Sequence, residues 1–200
     1  MRHHGLTKLF HPPLERLFSF VPTMKALSSP AITRVTTPEA ASLAALARES
    51  FIETYGGRTD PDNLRLYVDT HLTDERVRIE LDTPGFDFHM ARMGEAPVGY
   101  LKLRRDRHPK GIAEGNCLQV ERIYVLRRFQ GSGIGSALID LALRSAREAG
   151  DHAVWLQVWG QNAEAIGFYQ AKGFRIYETA AFEFGNEQTE DFLMRFDIHH

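Results

Sequence analysis

The sequence predicts a single mixed α/β domain, and three observations carry that expectation. Runs rich in β-branched and aromatic residues alternate with segments whose apolar residues recur at helical spacing. A strand–helix–strand–helix order runs across residues 118–172, a connection that makes parallel neighbours with right-handed crossovers. The 200 residues, 43% of them hydrophobic, supply a core for one domain plus a tail.

Segment 31–36 is β-branched and reads as the first strand. Thr37, Pro38 and Glu39 mark a helix entry, a capping hydroxyl followed by proline in the first turn, and that helix extends to about residue 51. Asp60 and Pro61 open a second helix, with Leu64, Tyr67, Val68 and His71 at helical spacing. A short charged helix follows at 74–81, and Pro84 and Gly85 then break the chain. Strands are expected at 86–93 and 98–105, joined as a hairpin at Gly94 and Glu95. The polar stretch 104–115, with Pro109 and Gly111, reads as a loop. After a strand at 118–125 comes a helix at 133–149, with Ile134, Leu138, Leu141 and Ala142 on one face and Gly150 at its end. A strand at 153–158 leads to a helix at 162–172, capped by Asn162 and closed by Gly173. Three short strands at 174–178, 181–184 and 191–196 complete the pattern.

Residues 1–30 stand apart from this domain, which spans 31–198. Pro12, Pro13, Pro22 and Pro30 punctuate the segment, and Glu15 and Arg16 interrupt its apolar stretch, so it lacks the unbroken core of a secretory leader. It reads as a poorly ordered extension, with Met24 a candidate start of the native chain. A net charge of −2 supplies no global basic field, so nonspecific nucleic-acid binding is not expected. No apolar run approaches the roughly 18 residues of a membrane span. The lone Cys117 forms no internal disulfide, which suits a reducing, cytoplasmic setting; at the start of a strand it reads as a small buried side chain rather than a nucleophile. No His/Cys/Asp cluster has metal-ligand spacing, so no catalytic metal is expected.

The most informative segment is Gln130-Gly131-Ser132-Gly133-Ile134-Gly135-Ser136, between a strand and a helix. A helix start offers unpaired N–H groups and a positive dipole end. Glycines let the backbone approach an anion closely and adopt positive φ. Together these make a pyrophosphate cradle, with Arg127 and Arg128 just upstream as further positive charge. A tight turn with glycines for packing is the plainer alternative. A nucleotide P-loop requires a lysine that Ile134-Gly135-Ser136 lacks, and a dinucleotide fingerprint requires a glycine where Ser136 stands.

Gln130-x-x-Gly133-x-Gly135 resembles the acetyl-CoA signature of the GCN5-related N-acetyltransferase (GNAT) superfamily. About 30 residues on, Val158-Trp159-x-x-Asn162-x-x-Ala165-x-x-Phe168-Tyr169-x-x-x-Gly173-Phe174 is similar to the superfamily's later strand–helix–strand motif. Within the superfamily the chain resembles the PaiA-type spermidine/spermine acetyltransferases. The residues are Phe51-Ile52-Glu53-Thr54-Tyr55-Gly56, Gly99-Tyr100-Leu101-Lys102-Leu103, Glu121-Arg122-Ile123-Tyr124-Val125 and Gln188-Thr189-Glu190-Asp191-Phe192-Leu193-Met194. Glu190 stands where that subgroup often has aspartate.

The resemblance implies a mostly antiparallel central sheet with flanking helices and a splayed parallel strand pair. It implies acetyl-CoA as cosubstrate, and transfer of the acetyl group to a primary amine of a small molecule, with a polyamine the first to consider. Backbone groups of Ile123, Tyr124 and Val125 would pair with the pantetheine arm like an added strand. Gln130 and the amides from Gly131 through Ser132, Gly133, Ile134 and Gly135 to Ser136 would hold the pyrophosphate. Asn162 would face the cofactor arm, cap its helix, or do both. Tyr169 is the candidate proton donor to the leaving thiolate, with plain core packing as its alternative. An alkylammonium, with a pKa around 10.4, must lose a proton before it attacks, which requires a base. Glu121 is the candidate, the alternative being a strand carboxylate paired with Arg122 or Arg104; Tyr55, His89 and Tyr100 come next. Trp155 and Trp159 flank a strand end, where core packing is their default role, and Trp159 is a candidate contact of the substrate pocket. Carboxylates that a second substrate charge would need cluster in two places, at Glu49, Glu53, Asp60 and Asp62 and at Glu183, Glu187, Glu190 and Asp191, with solvated surface as the more usual reading of such charges. Acetylation of a protein N-terminus or another amine, and a noncatalytic acetyl-CoA-binding regulatory domain, are the alternatives. The final strand could pair in a homodimer.

Overall fold

The computed structural model describes residues 30–105, 107 and 116–198. The expected N-terminal extension with Met24, and most of the expected loop at 104–115, lie outside them. The described residues form strands β1 (Ala31–Arg34), β2 (Phe86–Met93), β3 (Ala96–Arg104), β4 (Cys117–Val125), β5 (Ala153–Trp159), β6 (Arg175–Phe184) and β7 (Glu187–Asp197). The helices are α1 (Ala40–Tyr55), α2 (Pro61–His71), α3 (Asp74–Leu81), α4 (Ile134–Glu148) and α5 (Ala163–Ala171). One sheet runs in the order β1-β2-β3-β4-β5-β7-β6. Every neighbouring pair is antiparallel except β4 and β5, which are parallel. The mixed, mostly antiparallel α/β expectation is met.

Helices cover both faces. α4 buries Ile134, Leu138, Ile139, Ala142, Leu143 and Ala146 against Leu101, Leu118, Val120, Leu156 and Met194 of the sheet. These residues follow one helical stripe, and burial of each Leu or Ile contributes about 1.5–3 kcal/mol. On the opposite face, Leu43, Ala47 and Phe51 of α1 and Val77 of α3 pack on Phe88, Met90 and Tyr100.

The feature that positions the site lies at β4. Its pairing with β5 runs from Cys117↔Ala153 to Val120↔Leu156 and stops there, although β4 continues to Val125 and β5 to Trp159. On the other edge of β4, Leu103 pairs with Val120 and Lys102 with Arg122, which leaves Glu121 as an extra residue. A bulge of this kind bends its strand and increases the local twist. β4 therefore turns away from β5 from Glu121 onward and opens a cleft in the sheet.

Two sequence expectations are corrected. The helix entry begins one residue earlier than Thr37: the Glu39 carboxylate accepts from the Thr36 amide at 3.0 Å and its hydroxyl at 3.1 Å, while the Thr37 hydroxyl donates to Asp82 of the α3 C-terminus at 2.8 Å. The three short C-terminal strands are two long ones. Polar residues of an edge hairpin, the half-buried Glu178 and the exposed Glu183, Gln188 and Glu190, mask the strand period there, and the register shifts between Ile176 and Glu178.

That hairpin is fastened over α2. Asn63 Nδ2 donates to Asn186 Oδ1 at 2.6 Å, and Gly185 turns the chain with φ of 62°. The contact places the Phe184 ring 5.5 Å from Tyr67 and 6.2 Å from Phe51. A Cβ on Gly185 would lie 2.0 Å from Asn63 Oδ1 and would need an unfavourable left-handed backbone. Gly185→Ala is therefore expected to cost about 2 kcal/mol, lowering Tm by about 4–8 °C in a calorimetric melt.

Candidate active site

The start of α4 is built to stay open. Gly133 caps it with φ of 86° and no side-chain hydrogen bond, and the first turn holds no acidic residue. The helical bonds begin with the Ala137 amide donating to the Gly133 carbonyl at 3.0 Å. The amides of Ile134, Gly135 and Ser136 precede that bond and have no intrahelical acceptor. Gly131 also has positive φ, 74°, so the loop before the helix curls. Side chains of this loop serve the loop itself: the Ser132 hydroxyl donates to the Phe129 carbonyl, and Gln130 Nε2 donates to the Val125 carbonyl at 3.0 Å. Arg127 and Arg128 do not face the cradle as expected. The Arg127 amide donates to Glu53 Oε2 at 2.7 Å and Arg128 pairs with Glu49 at 2.7 Å, so both arginines tie the loop to α1. The anion-ready charge here is backbone charge.

Beyond the break, Ile123, Tyr124 and Val125 pair with Leu101, Tyr100 and Gly99 on the β3 side, and the β4–β5 ladder does not reach them. Asn162 caps α5, its Oδ1 accepting from the Ala165 amide at 3.2 Å. It also lines a groove of about 410 Å³ with Arg58, Trp159, Gln161, Ala163 and Glu164. The Tyr169 ring packs in the core 5.3 Å from Phe168 and 5.9 Å from Phe174. Burial pushes its phenol well above the ordinary value, and Tyr55 adds to that rise. Tyr169 belongs to the α4–α5 side of the sheet and Tyr55 to the α1 side, where its ring lies 4.5 Å from Phe51. Tyr55 and Tyr124 share a hydrogen bond, and burial raises both.

Glu121 is placed differently from the base expected of it. Its carboxylate accepts from Lys102 Nζ at 2.6 Å and Arg104 NH1 at 2.9 Å. Lys102, 1% exposed, also contacts Glu80 at 2.9 Å, and Arg122 reaches Glu80 at 3.1 Å. Burial alone would raise the Glu121 pKa, but Lys102, Arg122 and Arg104 together hold it below the usual carboxylate range. Such a carboxylate is a weak proton acceptor, and the geometry fits the alternative of a paired strand carboxylate. Of the other candidate bases, His89 lies on β2, two strands from the cleft, and burial lowers its pKa. Tyr100 is fully buried behind Tyr124, their rings 5.7 Å apart. Tyr55 is the one at the opening, its ring 6.0 Å from Trp159.

An open helix start beside a split parallel pair is an arrangement whose geometry suits an extended, anionic ligand. The acetyltransferase (GNAT) family model matches residues 42–174, and the chain belongs to that family. It is 29% identical over 164 residues to an uncharacterized N-acetyltransferase from Lactobacillus delbrueckii subsp. lactis, covering 82% of this chain and 95% of that one. It is also 29% identical to an uncharacterized N-acetyltransferase of Mycobacterium bovis, over 78% of this chain and 96% of the relative. Among solved structures, its fold resembles the PaiA N-acetyltransferase from Thermoplasma acidophilum in complex with coenzyme A. The TM-score is 0.70 at 22% identity, over 85% of this chain and 99% of that one. Among the described residues, no helix is long and apolar enough to cross a membrane.

Lys102→Met leaves Glu80 and Glu121 buried without their shared cation. A loss of about 3–5 kcal/mol in urea unfolding at pH 7 is expected. Because the folded-state pKa of Glu121 is depressed, the pairing stabilises the wild type fully above the ordinary carboxylate range. That contribution falls away as pH drops through the lower folded value. The gap between wild type and variant should shrink in acid.

Proposed function

We propose that the protein transfers the acetyl group of acetyl-CoA to a primary amine of a small molecule, with polyamines the first class to test. The observation that carries this reading is the glycine-capped, acid-free start of α4 set beside the break between β4 and β5. The amides from Gly131 to Ser136 hold the pyrophosphate, and the backbone of Ile123, Tyr124 and Val125 receives the pantetheine arm as a neighbouring strand would. The Val125 carbonyl already accepts from Gln130, so Gln130 serves by fixing the end of β4. The cosubstrate supplies an activated thioester.

In this reading the Tyr169 phenol protonates the departing thiolate. Its raised pKa keeps it protonated throughout the neutral range, as a proton donor must be. Asn162, occupied by its cap through Oδ1, has its amide nitrogen left for the ligand in the groove. Glu121 holds the bulge in place through its two cations and takes no part in proton transfer.

Calorimetry with coenzyme A, and free-thiol release across spermidine, spermine, amino acids and N-terminal peptides, tests the reading. Absence of coenzyme binding sinks it, and binding without turnover on any amine supports the regulatory-domain alternative. Gly133→Val forces a β-branched residue into positive φ at the cradle and should abolish detectable coenzyme A binding. For Tyr169→Phe, kcat should fall about 100-fold or more while the calorimetric affinity for acetyl-CoA changes little.

A further inference from the structure

Eight carboxylates lie in the two clusters that flank the cleft in sequence, and the structure accounts for seven in ordinary terms. Glu49 and Glu53 bond Arg128 and Arg127, Asp60 caps α2, and Asp62 pairs with Arg65. Glu183 and Glu190 are exposed and Glu187 is half-buried. Asp191 differs. It is 6% exposed, and its two oxygens accept from neutral donors, Gln157 Nε2 at 2.9 Å and Thr189 Oγ1 at 3.2 Å. Burial pushes its pKa above the usual range, the two hydrogen bonds only partly oppose that, and no cation contributes among the described residues. A buried carboxylate without a cation weakens a fold, so its place in the molecule calls for a ligand to complete it.

That place is on β7, one strand beyond β5 from the cleft, at the end where the β4–β5 ladder has stopped. Asp191 is the direct cross-strand partner of Trp159, beyond the last β4–β5 pair, on the same side of the sheet. The Trp159 ring meets Tyr55 at 6.0 Å, and Asp191 in turn raises the Tyr55 pKa. Trp159 also lines the groove that holds Asn162 and Arg58. A buried carboxylate beside the contacting Tyr55–Trp159 ring pair offers an alkylammonium both ion pairing and a cation–π face.

Building on the acetyltransferase reading, we propose that Asp191 is the catalytic residue that binds the substrate ammonium and accepts its proton, with the Tyr55–Trp159 pair as the aromatic wall of the amine pocket. One ammonium proton passes to Asp191 and on to solvent. The freed amine forms the N–C bond as the C–S bond breaks. The thiolate takes the Tyr169 proton, and the second proton leaving nitrogen restores that phenol. A carboxylate with a raised pKa stands closer to the amine than an ordinary one, which favours the transfer. The groups around Asp191 are Gln157 and Trp159 of β5, Thr189 of its own strand, Ala180 opposite on β6, and Tyr55 of α1 with Tyr124 of β4 behind it. Burial raises both tyrosines, so neither titrates at neutral pH or below.

The test compares wild type, Asp191→Asn and Asp191→Glu by coenzyme A calorimetry, by kcat/KM for the best amine of the panel across pH, and by thermal melts. Asp191→Asn should bind coenzyme A as wild type does, lose about 100-fold or more in kcat/KM for the amine, and lose the acidic limb of its pH profile. Asp191→Glu should restore part of the rate with a shifted acidic limb. The melts give a readout independent of activity. A raised folded-state pKa means the stability from this group is complete below the ordinary carboxylate value and is lost as pH rises through the folded one. Asp191→Asn should therefore be at least as stable as wild type at pH 7, with its relative advantage shrinking in acid. If kcat/KM stays within about threefold of wild type with the acidic limb in place, the assignment of Asp191 is overturned while the acetyltransferase reading stands. If the Asn variant does not bind coenzyme A, Asp191→Glu decides, since an unshifted acidic limb also overturns it. A wild-type protein that binds the coenzyme and acetylates nothing removes the acetyltransferase reading, and the role of Asp191 with it.

Discussion

The interruption of the β4–β5 ladder after Val120↔Leu156 is the constraint on which the remaining architecture depends. Backbone groups that lose a strand partner inside a sheet must find another one. The bulge at Glu121 makes the interruption a fixed feature instead of a frayed end, because Lys102 and Arg104 of the next strand hold the extra residue and Glu80 of α3 holds Lys102 in turn. Single-partner removal from such a buried network is costly, so the fold is energetically committed to this bulge. The cleft therefore exists before any ligand arrives, and its cost is carried by folding and not by binding.

Both helices that follow the split strands begin near the opening, yet they begin differently. α5 starts under Asn162, whose side chain satisfies the Ala165 amide. α4 starts under Gly133, which has no side chain to offer and adopts a φ that other residues avoid. The first arrangement completes a helix, and the second leaves donors for something else. The nearby arginines do not change that balance. Arg127 and Arg128 are held by Glu53 and Glu49, so their charges join α1 to the loop and the cradle relies on aligned amides. One consequence is that the helix carrying Tyr55 and the glycine loop before α4 form a single fastened unit.

Much of this was legible in the sequence where a local rule dominates. α3 at 74–81 and β2 at 86–93 match their expected bounds, because capping residues, charge and the Pro84-Gly85 break mark them without help from tertiary packing. The glycine segment before α4 and the Asn162 cap were legible for the same reason. The C-terminal hairpin was not, since an edge strand that faces water keeps no regular apolar alternation. Pairing choices were also hidden. Nothing in the order of residues says that Glu121 meets Lys102 on the neighbouring strand, or that Arg128 reaches Glu49, 79 positions away. Asp191 was legible only as one of several acidic residues, because its distinction is burial and the absence of a cation, both set by the fold.

Glu121 and Asp191 show how environment assigns chemistry to identical functional groups. Each is a strand carboxylate near the cleft, and each is largely withdrawn from water. Cations surround the first and hold its proton affinity down, so its charge is spent inside the protein. Neutral donors meet the second, its proton affinity rises, and its charge is still unmatched. Two carboxylates whose pKa values are pushed apart by their surroundings divide structural and chemical work between them. The first braces the bulge at which β4 leaves β5, and the second keeps a charge that a proton or an incoming cation can balance.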